Sequence, residues 1–115
     1  MPRVKRGMMH LKKRKNLLEK TKGFMWGRKS KLRLARTAEL KAGKYAYRDR
    51  RNKKRDFRRL WQIRINAGVR PHGLSYSRFI DLLKKANISL DRKILSNLAK
   101  DNRPVFDAIV EKVKS

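Results

Sequence analysis

Between Arg48 and Arg59 eight of twelve side chains are basic, with Asp49, Asn52, Asp56 and Phe57 as the remainder. The surrounding stretch KYAYRDRRNKKRDFRRLWQIRINAG, Lys44 to Gly68, is rich in good helix formers. Three turns of such a helix have no apolar face to bury, so packing against protein cannot be what stabilises them. Asp49 and Lys53 offer one i,i+4 pair, worth only ~0.2–0.5 kcal/mol, and the like charges around it outweigh that gain. The middle of the helix is therefore expected to fray alone and to hold where counter-charge surrounds it.

Composition says what supplies that counter-charge. The chain has 115 residues, a formal charge of +26 and a pI near 11.6. Such a charge repels itself in any compact state until an anion neutralises it. Nucleic acid, with one negative charge per ~1.7 Å of duplex axis, is the natural partner. The excess is uneven: residues 1–73 carry a net +22 and residues 74–115 only +4. A basic arm followed by an ordinary small domain is the expected organisation. Cysteine is absent, which removes disulfides and thiolate metal sites and suits a reducing compartment. No apolar run nears the ~20 residues of a membrane span. The opening MPRVKRGMMHLKKRK lacks the apolar segment of a secretory signal. Its basic, acid-free character up to Glu19 also suits an organelle-import segment.

Along the chain, residues 1–30 read as a basic tail with a short helical piece around Leu11, Leu17 and Leu18. In KGFMWGRKS, residues 22–30, two glycines bracket Phe24, Met25 and Trp26, which predicts a turn with exposed rings. Ser30 is the expected N-cap of the next helix. From Lys31 to about Arg70 no proline occurs, and Gly43 lies in the helix interior. Ala35, Ala38, Ala42, Tyr45 and Ala46 form a narrow stripe of mostly small residues; the apolar stripe then lapses and returns at Phe57, Leu60, Trp61 and Ile65. About 40 helical residues would reach ~60 Å, longer than a domain of this mass is wide. Pro71 and Gly73 end the helix. Ser75 then caps a helix with Tyr76, Phe79, Ile80 and Leu83 on one face, more plausibly core than ligand site. Asp91 caps a second helix carrying Ile94, Leu95, Leu98 and Ala99. A third starts near Asp101 or Asn102 and Pro104 and carries Val105, Phe106, Ile109, Val110 and Val113. With the returning stripe these make a small helical bundle, and no strand pattern or internal repeat appears.

The basic helix reads as a nucleic-acid contact more readily than as a solvated face or disordered tail, because Tyr45, Tyr47, Phe57 and Trp61 interleave with its cations. Arginine outnumbers lysine there, and its planar fork suits phosphates and base stacking. Charge alone leaves DNA and RNA both open, so a DNA-compacting nucleoid protein is the rival reading. A membrane-active cationic protein is disfavoured by the lack of a broad apolar face. Phe24 and Trp26 either tuck against the arm's own helix or stack on unpaired bases, with equal weight. Arg92 and Lys93, in the first turn after Asp91, form either a second contact patch or plain wet surface. His10 and His72 stand apart from any carboxylate pair, and no nucleotide-binding loop or catalytic set occurs. Neither enzyme nor cofactor is expected.

The motifs YAYRDRR, FRRLW, RINA, SYSRFI and LDRKIL, with KGFMWGRKSKLRLARTAELKAGK before them and PRVKRG at the start, span nearly the whole chain. Together they resemble the bacterial-type large ribosomal subunit protein number twenty family. FMWG is bulkier than the usual aromatic-glycine turn of that family. The resemblance implies an all-α protein: a basic RNA-threading extension over residues 1–56, its helix continuing to about 70, and a small all-helical RNA-binding domain over 57–115. It implies direct binding to large-subunit ribosomal RNA, a role early in subunit assembly, and location in the ribosome of the cytoplasm or an organelle. Family members also repress their own messenger through the C-terminal domain. Expected partners are that RNA, neighbouring large-subunit proteins and the chain's own messenger, with no membrane. The residues expected to touch RNA are Arg3, Lys5, Arg6, Lys12, Lys13, Arg14, Lys22, Phe24, Trp26, Arg28, Lys29, Arg33, Arg36, Lys44, Tyr47, Arg48, Arg50, Arg51, Lys53, Lys54, Arg55, Arg58, Arg59, Arg64, Arg92 and Lys93.

Overall fold

The computed structural model describes residues 3–114; Met1 and Pro2 of the predicted extension and Ser115 of the predicted domain lie outside the described residues. Every regular element among the described residues is helical: α1 (Arg6–Lys20), α2 (Leu32–Val69), a 3₁₀ turn (Arg70–His72), α3 (Tyr76–Lys85), α4 (Arg92–Asp101) and α5 (Arg103–Lys114). The expected all-α class is thus observed. Two compact units divide the chain, one up to Arg51 and one from Asn52 onward, the boundary falling inside α2.

The first unit has little apolar interior. α1 buries none of its residues; Leu17 and Leu18 are half-buried, and Thr21 and Ala35 are fully buried. The Thr21 hydroxyl lies 3.3 Å from the Leu18 carbonyl, which accepts its hydrogen bond as α1 ends. Lys20 Nζ meets Glu39 Oε1 at 3.2 Å and ties α1 to α2. Ser30 does not cap α2. Its hydroxyl donates to the Gly27 carbonyl at 3.5 Å, and the first helical bond runs from the Ala35 N–H to the Lys31 carbonyl. The turn that positions Ser30 is closed by its own backbone, so the hydroxyl is drawn back and α2 starts later. Of the small-residue stripe, only Ala35 and Ala38 find cover; Ala42, Tyr45 and Ala46 are exposed.

In the second unit, α2 meets α3, α4 and α5 around one core of Ile65, Val69, Phe79, Leu83, Leu95, Phe106, Val110 and Val113. The Phe79 and Phe106 rings sit 5.8 Å apart at a 52° tilt, an arrangement favoured by their quadrupoles. Helix ends direct the chain into this core. After α2, Gly73 takes φ 74°, the Leu74 N–H reaches the Val69 carbonyl and the Gly73 N–H reaches that of Arg70. This is a Schellman closure, and Leu74 turns inward onto the core. α3 ends the same way on Asn87 at φ 54°, with Ile88 bonded to Leu83 and packed inward. At the other end of α3 the Ser75 hydroxyl accepts from the Arg78 N–H, as expected of a cap. Asp91 occupies the N-cap of α4 without a side-chain bond.

The stripes are covered less far than their periodicity suggested. Phe57 and Leu60 stay exposed, Trp61 is half-buried, and the returning stripe enters the core only at Ile65. Ile94 and Val105 are also exposed, because α4 and α5 present Leu95 and Phe106 to the centre and turn their neighbours outward. Gly68 is the position that periodicity gave no reason to notice. A Cβ there would lie 2.8 Å from Phe106 Cε1 and 3.3 Å from the Ala99 Cβ, so α5 packs directly on the backbone of α2. α5 also serves the end of α2: Arg103 Nη2 donates to the Gly68 carbonyl at 2.9 Å, and Lys114 Nζ to that of His72 at 3.1 Å. His72, read from sequence as isolated, meets Asp107 Oδ1 at 2.8 Å, and Arg103 Nε meets the same oxygen at 3.0 Å.

Helical Gly→Ala changes normally stabilise by ~0.5–1 kcal/mol. Gly43→Ala, with open space around it, should do so and raise helical circular dichroism. Gly68→Ala should instead destabilise the second unit by ~1–3 kcal/mol in urea, because the buried Phe106 ring has nowhere to move. The His72 hydrogen bond, with Arg103 adding to it, holds the Asp107 carboxyl below its ordinary pKa of 3.8. A lowered carboxylate pKa adds stability above the unfolded value and loses it as pH falls through the folded one. Thermal midpoints should therefore fall in acid below about pH 4, and Asp107→Asn should flatten that part of the profile while lowering stability at neutral pH.

Candidate nucleic-acid interface

A helix turns about 100° per residue, so the eight cations from Arg48 to Arg59 are distributed around most of α2 and not along one edge. Asp49, Asn52 and Asp56 fall in the remaining sector of about 120°. Every residue from 40 to 60 is exposed, so this stretch of helix has no side chain buried against protein. Among the candidate residues, Arg3, Lys5, Arg6, Lys12, Lys13 and Arg14 are exposed on or just before α1. Lys22, Trp26, Arg28 and Lys29 are exposed on the turn, and Arg33, Arg36, Lys44, Tyr47, Arg48, Arg50 and Arg51 on α2 of the first unit. Lys53, Lys54, Arg55, Arg58 and Arg59 are exposed on α2 of the second unit, as is Lys93 on α4.

Three candidates differ. Phe24 and Arg64 are half-buried. Arg92 is half-buried too: its Nε donates to the Tyr76 hydroxyl at 2.9 Å, so the guanidinium serves α3–α4 packing as well as the surface, a role that neither reading from sequence, contact patch or wet surface, includes. The residues 76 and 92 are far apart in the chain, and no local pattern announces their meeting. Lys15, Lys31 and Lys41 are exposed cations of the same kind that the sequence reading left out. Their charge was the signal; nothing in their spacing set them apart.

The arginines of this surface are partly arranged before any ligand arrives. The Arg48 guanidinium lies 4.8 Å from the centre of the Tyr45 ring and that of Arg51 lies 5.3 Å from Tyr47. Arg51 Nη2 also donates to the Tyr47 hydroxyl at 3.4 Å. Asp49 Oδ1 accepts from Arg48 Nε at 2.7 Å and, chiefly through that bond, raises the guanidinium pKa. A guanidinium resting on an aromatic face keeps its remaining N–H groups free for phosphate and has less freedom to lose on contact. Phe57 and Trp61, 6.4 Å apart, continue the aromatic series toward the core. Among the described residues no group of three or more His, Asp or Glu side chains could hold a metal ion. Nor is any helix there long and apolar enough to cross a membrane. The chemistry this surface offers is multivalent binding of an anionic polymer.

The family described as Ribosomal protein L20 matches residues 3–109. The large ribosomal subunit protein bL20 of Methylibium petroleiphilum is 56% identical over 115 residues, covering 100% of this chain and 98% of its own. The bL20 of Leptospira biflexa is 54% identical over 114 residues, 99% of this chain and 97% of its own. That of Ralstonia nicotianae is 54% identical over 115 residues, again with 100% and 98% coverage. A match of this extent shows that the chain belongs to the ribosomal protein L20 family.

Proposed function

We propose that the chain is a structural constituent of the large ribosomal subunit that binds large-subunit ribosomal RNA directly and promotes early assembly of that subunit. The observation that carries this reading is the unbroken exposure of residues 40–60 on a helix with eight cations between Arg48 and Arg59. Such a helix has no use for a protein neighbour and every use for phosphates on several sides. In this reading residues 1–56 thread into folded RNA and residues 57–115 form a separate RNA-binding domain. The contacts are the exposed candidate residues given above, the aromatic Tyr47 and Trp26 included, with Phe24, Arg64 and Arg92 as half-buried contributors. Family membership and the names of the relatives support placement in the ribosome of the cytoplasm, beside other large-subunit proteins. The chain's own messenger is a second RNA ligand on this reading, bound by the domain from residue 57 onward when free protein exceeds its ribosomal sites.

Binding to a large-subunit ribosomal RNA fragment tests this. Changing Arg50, Arg51, Arg55 and Arg58 together to Gln should abolish specific binding while the urea transition of the second unit is unchanged, since none of these side chains lies in its core. The slope of log K against log salt should shrink by about 0.7–0.9 per lost phosphate contact. Affinity retained within about twofold, or equal affinity for random duplex DNA in competition, would refute the proposal; the expected loss is well above tenfold, judged from ~1 kcal/mol or more per charge-assisted bond.

A further inference from the structure

Phe24 and Trp26, inseparable on sequence, have different surroundings in the folded chain. Phe24 is half-buried and its N–H bonds to the Thr21 carbonyl at 3.0 Å, so it belongs to the turn's own packing. Trp26 is 83% exposed, and its indole makes no hydrogen bond or ring contact among the described residues. It also sits at φ 62° between Met25, whose carbonyl accepts from Arg28 N–H at 3.3 Å, and Gly27 at φ 73°. Both central residues of this tight turn are therefore left-handed, a geometry suited to Gly, Asn or Asp and strained for a bulky side chain. Burying the ring would be the ordinary reason to tolerate that strain, and here the ring is bare. Strain held without an internal return points to a ligand.

The surroundings specify the ligand's chemistry. Lys22, Arg28, Lys29 and Lys31 are exposed around the turn, the segment 20–33 contains no acid, and Glu39 is paired with Lys20. A flat apolar ring inside a fringe of cations matches a planar apolar group joined to phosphate. We propose that Trp26 is a stacking platform for an unpaired nucleobase of RNA, with Phe24 as the anchor that holds the turn. The base must be unpaired, or at a helix end, because inside a duplex both faces are covered by neighbours. This rests on the RNA-binding reading above and adds to it a distinction between single-stranded and paired RNA.

The test uses the full chain with Trp61→Phe, so that Trp26 is the sole indole, and compares oligoadenylate with an RNA duplex of equal length. Oligoadenylate should quench the Trp26 fluorescence and the duplex should not. Trp26→Leu should weaken oligoadenylate binding by about tenfold or more and leave duplex binding within about twofold, and Trp26→Phe should restore most of the loss. Trp26→Gly, which relieves the strained φ, should leave or raise helical content while losing the same affinity. Equal effects of Trp26→Leu on both RNAs, or none on either, would overturn the assignment while leaving RNA binding standing. Quenching by phosphatidylserine vesicles and not by oligoadenylate would overturn it in favour of a lipid surface. Failure of the unmutated chain to bind either RNA would remove the parent reading along with this one.

Discussion

Like-charge repulsion along α2 is the constraint to which the rest of the molecule answers. A helix normally persists in a protein because one of its faces is buried; here the residues from 40 to 60 bury nothing. Propensity favours the helix, while crowded guanidinium and ammonium groups oppose it. The local compensations are small: Asp49 against Arg48, and two arginines resting on tyrosine rings. Exposed pairs of that kind contribute at most about 1 kcal/mol each. A polyanion changes the balance at once, because every cation then gains a partner and releases counterions from the nucleic acid.

The second unit solves the opposite problem. Its net charge of +10 lies mostly before residue 74, and about sixty residues must generate a core from few large side chains. They do so by close approach instead of bulk. Gly68 lets Phe106 rest on the helix backbone, and the two left-handed residues, Gly73 and Asn87, return Leu74 and Ile88 to the core. The polar cluster of His72, Arg103 and Asp107 then closes the exposed side of the same contact. Surface charge and folding stability thus draw on largely different residues, and the arginines between 48 and 59 have no part in the core.

What was legible in the sequence follows the range of the interaction concerned. Caps and stops act over a few residues, and Ser75 and Gly73 were readable because their chemistry is local, whereas Asp91 holds the N-cap position without the side-chain bond that suggested it. The exception, Ser30, failed because a neighbouring turn competes for its hydroxyl. Helical periodicity identified the buried face of α3, yet it could not say where cover ends, so Phe57, Leu60, Ile94 and Val105 were assigned to a core that stops short of them. Contacts across 16 to 42 residues left no local trace: Arg92 with Tyr76, His72 with Asp107, Gly68 under Phe106, Lys114 on the His72 carbonyl. The cationic surface was legible almost entirely, because charge that nothing neutralises in the sequence stays unneutralised in the fold. Which of the two aromatic rings was bare was not, since the half-buried Phe24 and the exposed Trp26 sit in the same local pattern between two glycines.

The service that α5 gives to the end of α2 has a bearing on the order of events during synthesis. The carbonyls of Gly68 and His72 wait for Arg103 and Lys114, and Gly68 itself waits for Phe106. Until those residues have been translated, the second unit lacks both its largest ring contact and the donors that close its longest helix. The strongly cationic segment is therefore released from the synthesising ribosome well before its own globular neighbour can close, and for that interval the nascent chain is a sticky polycation without a finished fold.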